Sequence, residues 1–430
     1  MPSNSSLLES FQKAYGNLKL LPLRDPNELD KFGVDYGEEV IENLQQPVYD
    51  SDSRDCKIIF AGHSFYGKST LLARFARECS DRYFVVFFSI SDDIEMSDVN
   101  HINVLFAIAV NLMNEAEKNQ IKINESTKKE LDRWFAKTTR TETEKFGAEV
   151  AAGFNLFEII RGKMQADASI REEIKQEFKN KVSDLIAKLN EIAAAIEVAT
   201  QKEIIVIIDG LDDRTNLESI TNIYKDNIQD LFKPNFRIIF TIQIAGYRGN
   251  KLIQRRIEKE TDGDVVRMLA LNIFEKGANR LRNPVPIAEN QEVLREILAK
   301  RIPENMLKPD MADKIALYSG GVITELILTA RECCRICLKS IRRHPDLEEL
   351  AIDDAVLEKA IERRRDDFAS NLSNQDYEIL RKVYKENEPD DPNQQEFLEL
   401  LQGLHIIEYQ GNWYDVNPIV KELLRDKGLV

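Results

Sequence analysis

Short, unbroken apolar runs alternate along this chain with stretches in which apolar residues recur every three or four positions. The runs at residues 58–60, 83–90, 204–208 and 236–242, and the segment "VVRMLALNI" from Val265, are too continuously apolar for half-exposed strands. They predict five buried strands. Leu71, Leu72, Phe75 and Ala76 keep helical spacing, so a helix is expected from about Lys68. The same period predicts helices over 103–118, 126–137, 292–301, 310–318, 323–342 and 353–365. From Ile170, apolar residues at Ile174, Phe178, Val182, Leu185, Leu189, Ile192 and Ile196 predict one long amphipathic helix packed on the chain's own core. "KFGAEVAAGFNLFEIIRGKMQA" alternates partially around residues 153–155, and a hairpin is expected there. Near the end, "NQDYEILRKVYKE" and "NQQEFLELLQGL" read as helices, and "HIIEYQGNWYDVNP" as two strands around a turn at 410–412. Five strands interleaved with helices predict an α/β fold with a parallel sheet. Helix, helix and a two-stranded wing is the layout of a winged helix.

The first run leads into "CKIIFAGHSFYGKSTLLARFARE", and Gly62 to Ser69 fits G-x-x-x-x-G-K-[ST] at every fixed position. Glycines let the backbone curl so that successive N–H groups face phosphate oxygens, and the following helix adds its partial positive charge. Gly62, His63, Ser64, Phe65, Tyr66, Gly67, Lys68, Ser69 and Thr70 are therefore the candidate nucleotide-binding residues. Lys68 is suited to the β- and γ-phosphates and the Ser69 hydroxyl to Mg²⁺, with Thr70 as a supporting hydroxyl. The most β-prone run, in "KEIIVIIDGLDDR", ends in Asp209, a carboxylate suited to the same metal. Asp213 and Asp212 follow as candidate general bases for an attacking water, and Thr241 and Gln243, ending the next run, as candidates to sense the γ-phosphate or orient that water. The expected cofactors are ATP and Mg²⁺, and the expected chemistry is Mg-dependent ATP hydrolysis.

Composition narrows the partners. The 430 residues carry a net charge of −15, which argues against a surface built broadly to neutralise nucleic-acid phosphates. No apolar run approaches the roughly 18 residues of a membrane span. The N-terminus lacks the basic-then-apolar pattern of a signal peptide, so a cytoplasmic location is expected. Cys333, Cys334 and Cys337 sit in "ARECCRICLKS", where Cys334 and Cys337 share a helical face with Leu326, Ile327 and Ala330, and no second Cys pair or His cluster completes a zinc set. They read as core.

Taken together, "GHSFYGKST", "IIVIIDGLDD" and "YSGGVITELILTARE" resemble the Walker A, Walker B and lid segments of the additional-strand P-loop NTPases of the AAA+ and STAND superfamilies, including origin-recognition ATPases. The resemblance covers roughly residues 30–430. It implies an approach segment over 1–50 and a P-loop NTPase core over 51–288, with a mostly helical insert at 138–200 outside the common pattern. A helical lid over 289–365 and a C-terminal winged helix over 366–430 follow. The family often has a Pro-Arg pair after the lid's Gly-Gly, its arginine contacting the γ-phosphate; here Ile323 and Thr324 stand there, which implies a lid that senses nucleotide weakly and turns over slowly, with Arg331 on the same helical face as the alternative contact. Gly210 follows Asp209, where AAA+ enzymes usually have Glu, which moves the base role to Asp213 or Asp212. Arg255 and Arg256 lie in the region from which AAA+ proteins offer an arginine to a neighbour's nucleotide.

The resemblance implies an ATP-operated, slowly hydrolysing switch that controls assembly with protein partners or with itself, in bacterial antiphage defence or signalling. The alternative is an origin-recognition-like or DNA-loading AAA+ ATPase that holds duplex DNA. Residues 366–430 hold fourteen Asp/Glu against six Lys/Arg, a net of −8. Such a module would repel phosphates, so protein contacts are expected in preference to nucleic acid.

Overall fold

The computed structural model describes residues 3–63, 66–140, 155–211, 221–280, 284–347, 349–370 and 372–430. The chain divides into two compact units, one of residues 1–38, 63–70 and 268–430, the other of residues 39–62 and 71–267.

The second unit is built on the apolar runs. They form β1 (Lys57–Gly62), β2 (Phe84–Ser89), β3 (Ile204–Asp209), β4 (Arg237–Gln243) and β5 (Val265–Met268), in the sheet order β2-β3-β4-β1-β5. The β1–β4, β3–β4 and β2–β3 pairs are parallel. β5 lies beside β1, where the Ile59 N–H donates to the Asp264 carbonyl at 3.1 Å. β4 is thus inserted between β1 and β3. Both sheet faces are covered: Val206, Ile208, Ile238 and Phe240 belong to the large core, and Ile205, Ile207 and Ile239 on the opposite face are equally buried. That core is centred on the His101–Lys118 helix, whose inner residues Val104 to Val110 are all fully buried.

Three expectations are corrected here. The segment expected as a hairpin is a helix from Leu156 to Ala166; residues 141–154 lie outside the described residues. Phe157, Ile160 and Met164 keep helical spacing and are fully buried, and Asn155 caps the start by accepting the Glu158 N–H at 2.8 Å. Next, the single long helix is two, Ala168–Phe178 and Val182–Thr200, with the Lys181 N–H turning back to the Phe178 carbonyl. Both pack on the His101–Lys118 helix. A straight helix over 170–196 would run about 40 Å, far past the roughly 27 Å of that 18-residue helix, and the break lets both apolar stripes share it. Last, the fifth run is extended only to Met268, and Ala270 bridges instead to Tyr409 in the first unit.

In the first unit the Ser3–Asn17 helix packs on the Ile323–Arg343 helix, which also contacts helices Ala288–Ala299, Met311–Tyr318 and Asp354–Ala369. Cys333, Cys334 and Cys337 are fully buried in it; burial pushes the last two thiols up to about 12, so they are neutral core groups. Helices Asn374–Glu386 and Gln395–Gln402 precede an antiparallel hairpin of β6 (Ile406–Tyr409) and β7 (Trp413–Val416), followed by the Pro418–Asp426 helix. Tyr409 pairs with Trp413 across the expected turn, where Gly411 and Asn412 take positive φ. The Gly-Gly of "YSGG" has a local cause. A Cβ on Gly321, at φ +82°, would lie 1.9 Å from the Leu271 carbonyl oxygen.

Candidate nucleotide site

β1 continues through Gly62 directly into the loop, and the helix Lys68–Cys79 follows it. The N–H groups of the first helical turn have no partner within the helix, which makes that turn an anion-binding end. Gly67 takes φ +89°, and a Cβ there would meet the Tyr36 hydroxyl at 2.6 Å and Ile323 Cδ1 at 3.3 Å. Only glycine allows that backbone at that closeness. The Lys68 ammonium is buried and donates to the His63 carbonyl at 2.8 Å, so the loop's own backbone holds it across the turn. The Thr70 hydroxyl accepts from the Leu23 N–H at 3.0 Å, whereas Ser69 is half-buried at the head of the helix.

Tyr66 is buried beside another residue of the same loop. It is 2% exposed, and its ring lies 4.8 Å from that of His63. Its hydroxyl faces the Glu408 backbone in β6, and burial pushes its pKa well up, so it is neutral. The neighbouring Tyr409 hydroxyl donates to the Gly320 carbonyl at 2.6 Å. The loop, the Gly-Gly turn and the C-terminal hairpin therefore meet in one packed cluster.

In the second unit the strand register aligns the remaining candidates. Gly62 pairs with Gln243, Phe60 with Thr241, Ile208 with Phe240, and Ser89 with Asp209, all at the carboxyl ends of parallel strands. Open α/β sheets bind ligands at that end. Asp209 is 2% exposed, and Thr241 and Gln243 are buried. Gly210 follows at φ +80°, with the Ser89 hydroxyl 2.9 Å from where a Cβ would stand. Two neighbours went unsingled in the sequence. Ser89 is the one polar residue in its strand, a signal that was available; the Tyr224 hydroxyl donates to the Thr241 carbonyl, a contact no local pattern announces.

Asp212, Asp213, Ser64 and Phe65 lie outside the described residues. The Arg331 guanidinium lies over the Tyr15 ring, 4.6 Å from its centroid. Arg255 is exposed on the Lys251–Glu260 helix, and Arg256 approaches Glu260 at 3.7 Å. Among the described residues no group of three His, Cys, Asp or Glu side chains converges as a metal site, and no helix is long and apolar enough to cross a membrane.

No family model and no curated protein matches the chain. Among solved structures it is similar to the Aeropyrum pernix ORC2 protein in ADPNP–ADP complexes, at 10% identity and TM-score 0.40, covering 96% of this chain and 98% of that one. It is similar to the Aeropyrum pernix ORC1 protein in complex with DNA, at 11% identity and TM-score 0.40, covering 97% of each chain. The Drosophila ORC bound to DNA gives 10% identity and TM-score 0.37, with 100% of this chain and 82% of that chain covered.

Proposed function

We propose that the chain is an additional-strand P-loop ATPase of the AAA+/STAND type that binds ATP with Mg²⁺ and works as a slow switch for assembly with protein partners. The observation that carries this reading is Tyr66, a residue of the phosphate-binding sequence itself, buried beside Glu408 in the C-terminal hairpin. Any rearrangement of the loop on binding phosphates is felt at that hairpin, and the hairpin in turn biases the loop. Lys68 supports the same reading: phosphates would compete with the His63 carbonyl for its ammonium.

In this reading Lys68 neutralises phosphate charge, Ser69 and Asp209 hold the metal, and Asp213 or Asp212 accepts the water's proton. Thr241 and Gln243 orient that water, and Arg255 or Arg256 serves a neighbouring copy. Bound Mg²⁺ supplies charge neutralisation at the phosphates. The C-terminal helices and hairpin act as a winged helix for protein rather than duplex DNA, which the −8 charge of residues 366–430 supports.

Calorimetry with Mg-ATP tests the reading. Lys68→Ala should weaken binding by about a hundredfold while leaving the fold intact, since it removes a buried charge-assisted contact. Unchanged affinity in the folded variant would end the nucleotide assignment. Light scattering with and without a non-hydrolysable ATP analogue then separates a switch in assembly from a structural nucleotide.

A further inference from the structure

We propose that the groove between the Ser3–Asn17 and Ile323–Arg343 helices docks an acidic protein segment that carries one apolar anchor. In a chain of net charge −15, residues 331–344 hold Arg331, Arg335, Lys339, Arg342 and Arg343 against a single acid, Glu332. The first four recur at i, i+4, i+8 and i+11, one face of the helix, over about 16 Å in steps of about 6 Å. Arg335, Lys339 and Arg342 line a groove of 230 Å³ whose other walls are Leu338, Tyr15 and Gln12.

The cations differ in what already holds them. Arg331 is stacked on Tyr15, and its Nε finds no hydrogen-bond partner among the described residues. Arg335 is tied to Glu332. Lys339 and Arg342 are exposed, and among the described residues neither meets a carboxylate. Two free cations thus flank a floor formed by Leu338 and the Tyr15 ring.

The chemistry selects the occupant. An extended strand repeats side chains on one face every 6.6–6.8 Å or so, close to the step between these cations, so alternate Asp or Glu residues can meet successive turns. Leu338 and Tyr15 add an apolar contact that a phosphate backbone cannot use. A long polyanion would also run past the basic stripe into the field of a molecule of charge −15, whereas a short segment feels only the local cations, because charges beyond about 10 Å are screened. These arguments favour protein over nucleic acid. They do not depend on the nucleotide assignment, and neither Lys339 nor Arg342 belongs to that site.

Fluorescence polarisation with three labelled probes tests the proposal: the peptide DEDLEDE, the same peptide with Leu replaced by Ser, and a short oligo-deoxythymidine. The leucine peptide should bind saturably, weaken with added salt, and lose about tenfold or more in affinity for the double variant Lys339→Gln/Arg342→Gln, as expected for loss of two charge pairs. Circular dichroism confirms that the variant is folded; because the replaced groups are exposed, the fold does not depend on them. Equal binding by the double variant, equal binding of the serine peptide, tighter binding of the oligonucleotide, or no binding of any probe to the folded protein would each overturn the proposal.

Discussion

β3 and β6 are both wholly buried strands, yet they are made of different material. β3 is five consecutive β-branched residues with its only carboxylate, Asp209, at the end. β6 buries Glu408 in its middle, and its partner β7 buries Asp415 opposite Ile407. Transfer of apolar surface stabilises the first strand wherever it lies in a core. A carboxylate in the second costs several kcal/mol unless its surroundings are arranged for it. Those surroundings include the loop between β1 and the Lys68–Cys79 helix, through Tyr66, and the Gly-Gly turn, through Tyr409. The sheet is held by composition and the hairpin cluster by specific neighbours. Stability in β3 should therefore follow buried volume, whereas in the cluster it should depend on backbone fit and on which group stands at each position.

The sharpest break in that contrast is Gly321→Ala. Its positive φ and the 1.9 Å approach to the Leu271 carbonyl should make one added methyl cost about 4 kcal/mol or more, read by chemical denaturation. A cost below that of an ordinary core truncation would show that the cluster yields. Next comes Ile207→Ala in β3, where loss of buried methylenes should cost about 3 kcal/mol, while Ile207→Val should cost about 1. Tyr66→Phe removes only the hydroxyl beside Glu408. It should change stability by about 1 kcal/mol yet alter the response of the C-terminal hairpin to ATP, followed by hydrogen exchange in β6 with and without nucleotide. Exchange in β6 that ignores ATP in both proteins would uncouple loop from hairpin.

The smallest effect is a pH dependence. Burial holds the His405 pKa below its ordinary 6.5, and Nε2 lies 3.1 Å from the Phe368 carbonyl, so the neutral ring carries its proton on Nε2 and donates. A base whose folded pKa is depressed contributes stability above its unfolded pKa and loses it as pH falls. The stability gap between the protein and His405→Gln should be widest near neutral pH and narrow from about pH 6.5 downward. A gap that stays constant to pH 5 would mean the ring titrates as freely as in the unfolded chain.

Four sheet strands were legible because a buried parallel strand is a continuous apolar run; the fifth run gave an edge strand of only four residues, with Arg267 exposed. The strand-to-helix loop at residues 62–69 was legible for a different reason: its glycines, lysine and hydroxyl have fixed spacing, and a strand and helix flank them. Periodicity did not reveal the break at residues 179–181, because spacings of four and three from Phe178 through Val182 to Leu185 suit one helix or two. The length of the helix they pack on decided it. Tyr66 looked like any variable position inside the motif. It is buried beside Glu408, more than three hundred residues away, and no local pattern encodes such a neighbour.

The order of strands in the sheet also sets an order in time. β1 ends at Gly62, but its neighbours β4 and β5 begin only at Arg237 and Val265. At the usual 5–20 residues per second of synthesis, β1 waits roughly 10 to 35 s for the first of them. β2 waits for a shorter interval, since β3 begins at Ile204. During that interval Ile58, Ile59 and Phe60 form a β-prone segment with both edges unmatched, the kind of stretch that pairs with other chains. Native pairing across so wide a sequence separation is also intrinsically slow. The strand that leads into the Gly62–Ser69 loop is therefore the part of the sheet most exposed to misassembly while the protein is being made.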